Sequence, residues 1–355
     1  MKAVKYLHLY IFLLVCFSCK KPIKESNLIH IEVPLAISPE ISVDELAELH
    51  EKIHLETTKD VLLSFVKDVK ILEDRIYLAE LNQISVFDRK GNFIGRIGKQ
   101  GDGPGEYQKV VSMEVDEITN RIFVTSGYKL LIYSTENELL EERRLPMPLE
   151  YITVIDQVPF ILSERIGVKV NNSYANQTKL FRLNQSLDVS DSIPVRTIYM
   201  EELTIGGFSV KYYISNIEEG LFLFKPVFTP ENLLRDTLYR IDTNILTPYL
   251  KLDFERPQSL NEQGYQTLLI NNLNISSNYI LCEYDQDWER MMFLYNKNES
   301  KGYNLKGGLI DSQGNVVLLR PLDLNNDLFY YIKNDEFEDK SIEEQNPILG
   351  IVKLK

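Results

Sequence analysis

Basic charge is scarce in this sequence. Lys and Arg number 39 against 52 Asp and Glu, giving a formal net charge of −13 over 355 residues. A nucleic-acid partner needs a basic patch, so this balance argues against one. Cysteine is scarcer still. Cys16 and Cys19 close an N-terminal apolar run and Cys282 stands alone in the remainder, which leaves no intramolecular disulfide framework. No histidine follows His54, so a histidine-based metal site in the body of the chain is not expected. Tryptophan occurs once, at Trp288. The apolar run Tyr6–Phe17 falls short of the ~20 residues that span a bilayer comfortably.

What is present is best seen between Arg75 and Tyr107. Ile76–Ala79 is an unbroken apolar run, typical of a strand buried on both faces; Ile84–Phe87 and Phe93–Ile97 follow as two more strands. Gly91 and Asn92 tolerate positive φ and supply the turn between them. The stretch leaves through Gly98, Gly101, Gly103, Pro104 and Gly105. A phosphate loop would need Gly-Lys-Ser/Thr or a glycine fingerprint opening a helix. Neither is there, because Val110–Val115 reads as a strand. The glycines therefore read as a tight crossing to the next sheet, with Tyr107 packed beneath it.

The same pattern recurs. Apolar second strands are expected at Ile76–Ala79, Ile122–Thr125, Phe160–Ser163, Leu221–Phe224, Tyr279–Cys282 and Val316–Leu319. First strands precede them, from Val66–Leu72 to Gly308–Asp311, and third strands follow, from Ile84–Phe87 to Leu328–Ile332. Six four-stranded antiparallel meanders, at spacings of about 40–60 residues, predict an all-β, six-bladed β-propeller. A β-sandwich or two smaller β-domains is the plainer alternative and accounts less well for six similar units. Cys282 lies on one of the apolar strands and reads as a small core residue.

Residues 1–18 read as a targeting segment, with Lys2 and Lys5 ahead of a short apolar run. The run ends in Ser18-Cys19, which resembles the lipobox of bacterial lipoproteins and makes Cys19 the expected lipidation site. Secretion with cleavage nearby, or a retained anchor, are the alternatives. Residues 19–54 read as a tether and a short helix, Ser42 and Glu45 forming a capping box, and residues 55–355 as the propeller. His50-Glu51-Lys52-Ile53-His54 matches H-E-x-x-H. On a helix this pair could bind zinc, with Glu51 activating water; without a placed third ligand it reads as a chance match on a surface helix.

Several segments carry a family resemblance. Ile84–Asp88, Gly91–Phe93 and Gly98–Tyr107 look like an NHL-type blade. With Leu55-Glu56-Thr57, Asp236–Ile241 and the lipobox, the chain resembles the six-bladed β-propeller lipoproteins of Gram-negative bacteria. The resemblance implies a lipid-anchored protein of the cell envelope, at the outer membrane and on either side of it, with a glycan, a peptide or an envelope protein as partner.

Site residues are sought on the loops after the second strands, which begin at Glu80, Ser126, Glu164, Lys225, Glu283 and Arg320. These form either a polar ring for a zwitterionic or hydroxylated ligand or ordinary solvated strand ends. Two longer loops are expected, Glu164–Gln177 with Arg165 and Lys225–Asp236. Glu283–Arg290 places Trp288 beside Asp285, Asp287, Glu289 and Arg290. Trp288 could stack on a sugar, and the carboxylates alternate as in a loose calcium loop, but the EF-hand glycine is missing and a structural turn is the plainer reading. The function expected is a ligand-binding or protein-interaction module. The alternatives are a hydrolase or lyase using carboxylates at the channel mouth and a structural subunit of an envelope complex.

Overall fold

The structure is a computed structural model that describes residues 28–203, 206–228, 233–333 and 345–355. Six antiparallel four-stranded blades are arranged as a propeller. Blade one consists of Asp68–Leu72, Arg75–Ala79, Ile84–Asp88 and Phe93–Arg96. Blades two to five begin at the innermost strands Ser112–Asp116, Tyr151–Ile155, Ile214–Ile217 and Leu268–Ile275.

The apolar runs are unbroken because each blade is covered on both sides. Ile76 and Leu78 pack with Tyr330, Leu349 and Ile351 of blade six. Tyr77 and Ala79, on the opposite face of the same strand, pack with Ile122, Val124 and Leu131 of blade two. Each such burial contributes roughly 1.5–3 kcal/mol, so a single strand ties three blades together. The glycine-rich exit is the expected crossing: Lys99–Gln100 and Glu106–Tyr107 pair in parallel, and the buried Tyr107 donates its hydroxyl to the Ile97 carbonyl at 2.7 Å. Gly98 has φ +61°, and a Cβ there would lie 2.6 Å from the Tyr133 hydroxyl.

Blade six differs from the sequence reading. Its strands run outward as Arg320–Asp323, Leu328–Lys333, Ile348–Leu354 and Ala47–His54. The ring closes through an N-terminal strand, so each C-terminal strand moves one place inward. Leu328–Ile332, expected third, is second. The expected first and second strands instead supply a short hairpin, Leu309–Ile310 with Val316–Val317, ahead of blade six. Residues 47–54 were expected to be helical and to precede the propeller. The capped helix Val43–Leu46 does form, but the backbone turns extended at Ala47 and His50 to His54 pair along the edge of Ile348–Leu354. An unpaired sheet edge offers a full ladder of hydrogen bonds, which outweighs helix propensity here.

Two further segments depart from expectation. Residues 164–177 are not a loop: Val158–Val170 and Ser173–Leu183 continue into a long hairpin, closed at Asn171 with φ 55°. Upstream, Ile29–Val33 lies parallel to Ile245–Phe254 as a fifth strand of blade four. The chain then crosses the rim of blade five, where Asn304 Nδ2 donates to the Pro34 carbonyl at 2.7 Å. Residues 29–54 therefore strap blades four, five and six.

Candidate functional site

The six innermost strands surround a central channel. Here its upper end is where second strands run into third strands, and its lower end is where first strands turn into second strands. Tyr212, just ahead of the innermost strand of blade four, reaches across the channel between them. It is buried among apolar residues of blades one and six. Its hydroxyl donates to the Lys67 carbonyl at 3.3 Å and meets the Tyr330 hydroxyl.

The upper end holds the residues singled out from the sequence, and most are engaged within the protein. Glu80 is buried and accepts hydrogen bonds from Ser64 N and Oγ at 2.6 and 2.9 Å. Lys225 is 5% exposed; it pairs with Glu164 at 2.8 Å and lies 3.8 Å from Glu150. Lys211 lies 3.7 Å from Glu150 and its pKa is lowered by burial. Beside it, burial and then Lys211 bring Lys67 down to about 8. Glu283 is buried, pairs with the exposed Arg290 and accepts from Asn272 Nδ2 at 3.0 Å. Arg320 sits on the innermost strand of blade six, cross-strand from Tyr330, and not on a loop after a second strand. Arg165 stands apart on the blade-three hairpin and donates to the Pro146 carbonyl at 3.3 Å.

The Trp288 segment is a turn. Asp287 and Trp288, with φ of 52° and 70°, link Tyr279–Gln286 to Glu289–Asn296. Its carboxylates do not converge on an ion. Asp285 is held by Arg290 at 2.6 Å, Asp287 by Arg256 at 3.0 Å and Glu289 by Lys306 at 2.8 Å. Trp288 is 76% exposed, at 75° to the Tyr265 ring. Nor does H-E-x-x-H form a zinc site. On a strand, i and i+4 lie roughly 13 Å apart. His50 instead bonds Asp44 at 2.6 Å and Tyr331 at 2.8 Å, while Glu51 pairs with Arg89 at 2.7 Å. Among the described residues no group of three His, Cys, Asp or Glu is placed to hold a metal ion. Cys19 lies outside the described residues.

The lower end is open. A cavity of about 600 Å³ runs from solvent to Tyr212, with walls from blades one, two, three, four and six. Lys70 enters it from blade one, 3.0 Å from Glu114 of blade two and 4.0 Å from Asp68. Burial opposes the Lys70 charge, but Asp68 and Glu114 outweigh it and raise its pKa. Burial raises Asp68 to about 6. These groups were missed in the sequence reading. Their signal is charge set into otherwise apolar first strands, as in Asp68-Val69-Lys70-Ile71 and Met113-Glu114-Val115-Asp116.

The profile of the family described as "Domain of unknown function (DUF4934)" matches residues 27–353. A crystal structure of a candidate exported protein from Bacteroides fragilis is similar over 92% of this chain and 99% of that one, with 21% identity and a TM-score of 0.65. The β-propeller domain of Cps50 (Swd1) from Myceliophthora thermophila matches 83% of this chain and 99% of that one, at 10% identity and a TM-score of 0.44. A Bacteroides caccae protein of unknown function matches 78% of this chain and 89% of its own, at 12% identity and a TM-score of 0.41. No curated protein matches the chain.

Proposed function

The chain belongs to the DUF4934 family, and from that premise we propose that it is an extracytoplasmic binding module taking a small polar ligand in the lower cavity. One observation carries the reading: a cavity lined by charged, polar and apolar residues opens at the lower end and reaches inward to Tyr212, which crosses from blade four to Lys67 and Tyr330. Its about 600 Å³ lies within the usual range of ligand pockets. A lipid anchor at Cys19, holding the protein in the cell envelope at the outer membrane, is part of the same proposal. It is supported by Lys2, Lys5 and the short apolar run. The B. fragilis description as a candidate exported protein supports the extracytoplasmic location, not the anchor.

Glycan and peptide arrays, followed by calorimetry on each hit, test the binding reading. Asn216 is exposed and lines the cavity. Asn216→Trp is expected to abolish binding while leaving thermal unfolding unchanged. Hits that bind this variant with full affinity would place the site elsewhere. For the anchor, Cys19→Ser is expected to move the protein from the membrane fraction to the soluble one.

A further inference from the structure

Granting that the lower cavity holds the ligand, we infer that the ligand class is cationic: an ammonium or guanidinium on an aliphatic stem, such as the end of a lysine- or arginine-containing peptide. Five carboxylates line the cavity or its rim: Glu114, Asp116, Glu117, Asp156 and Asp323. They face two cations, and both are taken. Lys70 is held by Glu114 at 3.0 Å and Arg89 by Glu51 at 2.7 Å. Asp116 and Asp323 cap their own turns, accepting from Ile118 N at 3.2 Å and Asn325 N at 3.0 Å. Glu117 and Asp156 are exposed at the rim and form no ion pair with a described residue. An anionic ligand would meet this field without a free cation to receive it.

Two independent features agree. The tyrosines Tyr151 and Tyr212 line the inner part of the cavity, and an aromatic ring is a favourable neighbour for a cation. Between rim and floor the walls carry Ile71, Val154 and Leu322, which suit a methylene stem. Carboxylate rim, apolar wall and aromatic floor together match a stem that is apolar along its length and charged at its ends.

Calorimetry of the full chain with arginine amide and cadaverine tests the class, with glutamate and maltose as comparators. The cations are expected to bind, to weaken on raising salt, and to lose all affinity with Asn216→Trp. The double variant Glu117→Gln, Asp156→Asn is expected to weaken them about tenfold, as loss of about 1.4 kcal/mol of charge attraction would. Circular dichroism and thermal unfolding establish that this variant is folded. Binding of glutamate or maltose in preference, sensitive to Asn216→Trp, would overturn the cationic assignment and leave the cavity as a binding site. Cation binding that ignores both variants, or binding of neither cation, overturns it as well, while the array hits and their response to Asn216→Trp decide the cavity reading separately.

Discussion

At the upper end of the channel charges are spent on one another; at the lower end they surround space. Lys225, Glu164, Glu150 and Lys211 interlock above Tyr212, with Lys225 buried and the other three half-buried. Below Tyr212, Glu117 and Asp156 face a cavity with no partner across it. Charge at a strand end carries no functional meaning until its partner is known, and a paired, buried charge is a structural group.

The sharpest way to break this contrast is at Lys225. Lys225→Ala takes the buried partner from the half-buried Glu164 and Glu150 and is expected to cost about 3 kcal/mol. Urea unfolding measures it; a cost under about 1 kcal/mol would make the upper cluster no more structural than the lower rim. Tyr212→Ala removes the partition and a buried ring, with an expected loss of about 3 kcal/mol. The same variant joins the two ends of the channel, so a ligand confined to the lower cavity should also bind less tightly by calorimetry.

Asp68 sharpens the contrast through pH. Its pKa rises from 3.8 to about 6 on folding, chiefly through burial. Between these values the folded chain keeps a proton that the unfolded chain has lost. The favourable contribution is therefore complete below pH 3.8 and is lost as pH rises towards 6. Asp68→Asn should flatten that part of the stability curve by about 2 kcal/mol, read from urea midpoints across the window. An unchanged slope would mean that Asp68 is not the group that titrates. The smallest effect is expected at the rim: Glu117→Gln should alter stability by less than about 0.5 kcal/mol. A larger loss would show the rim to be built into the fold, as the upper cluster is.

The fold was legible where burial acts on a strand from both sides. Ile76–Ala79 and Tyr279–Cys282 are unbroken apolar runs because blades cover both faces, and the capping box at Ser42 and Glu45 needs only local chemistry. Blade six was misplaced because Ala47–His54 pairs with Ile348–Leu354 from the other end of the chain, and no local pattern records that closure. The site was less legible for the same reason. Lys70 and Glu114 belong to different blades, and Tyr212 acts on Lys67 and Tyr330 across the channel.

Local pattern was enough to place the strands of blades one to five and the packing role of the glycine-rich crossing from Gly98 to Tyr107. Apolar periodicity and turn chemistry are properties of neighbouring residues. Which charges are neutralised, which strand closes the ring and which end of the channel is open follow from contacts made after folding. Pairing energy and enclosed volume depend on groups that meet in space after folding, and those groups stand tens to hundreds of residues apart.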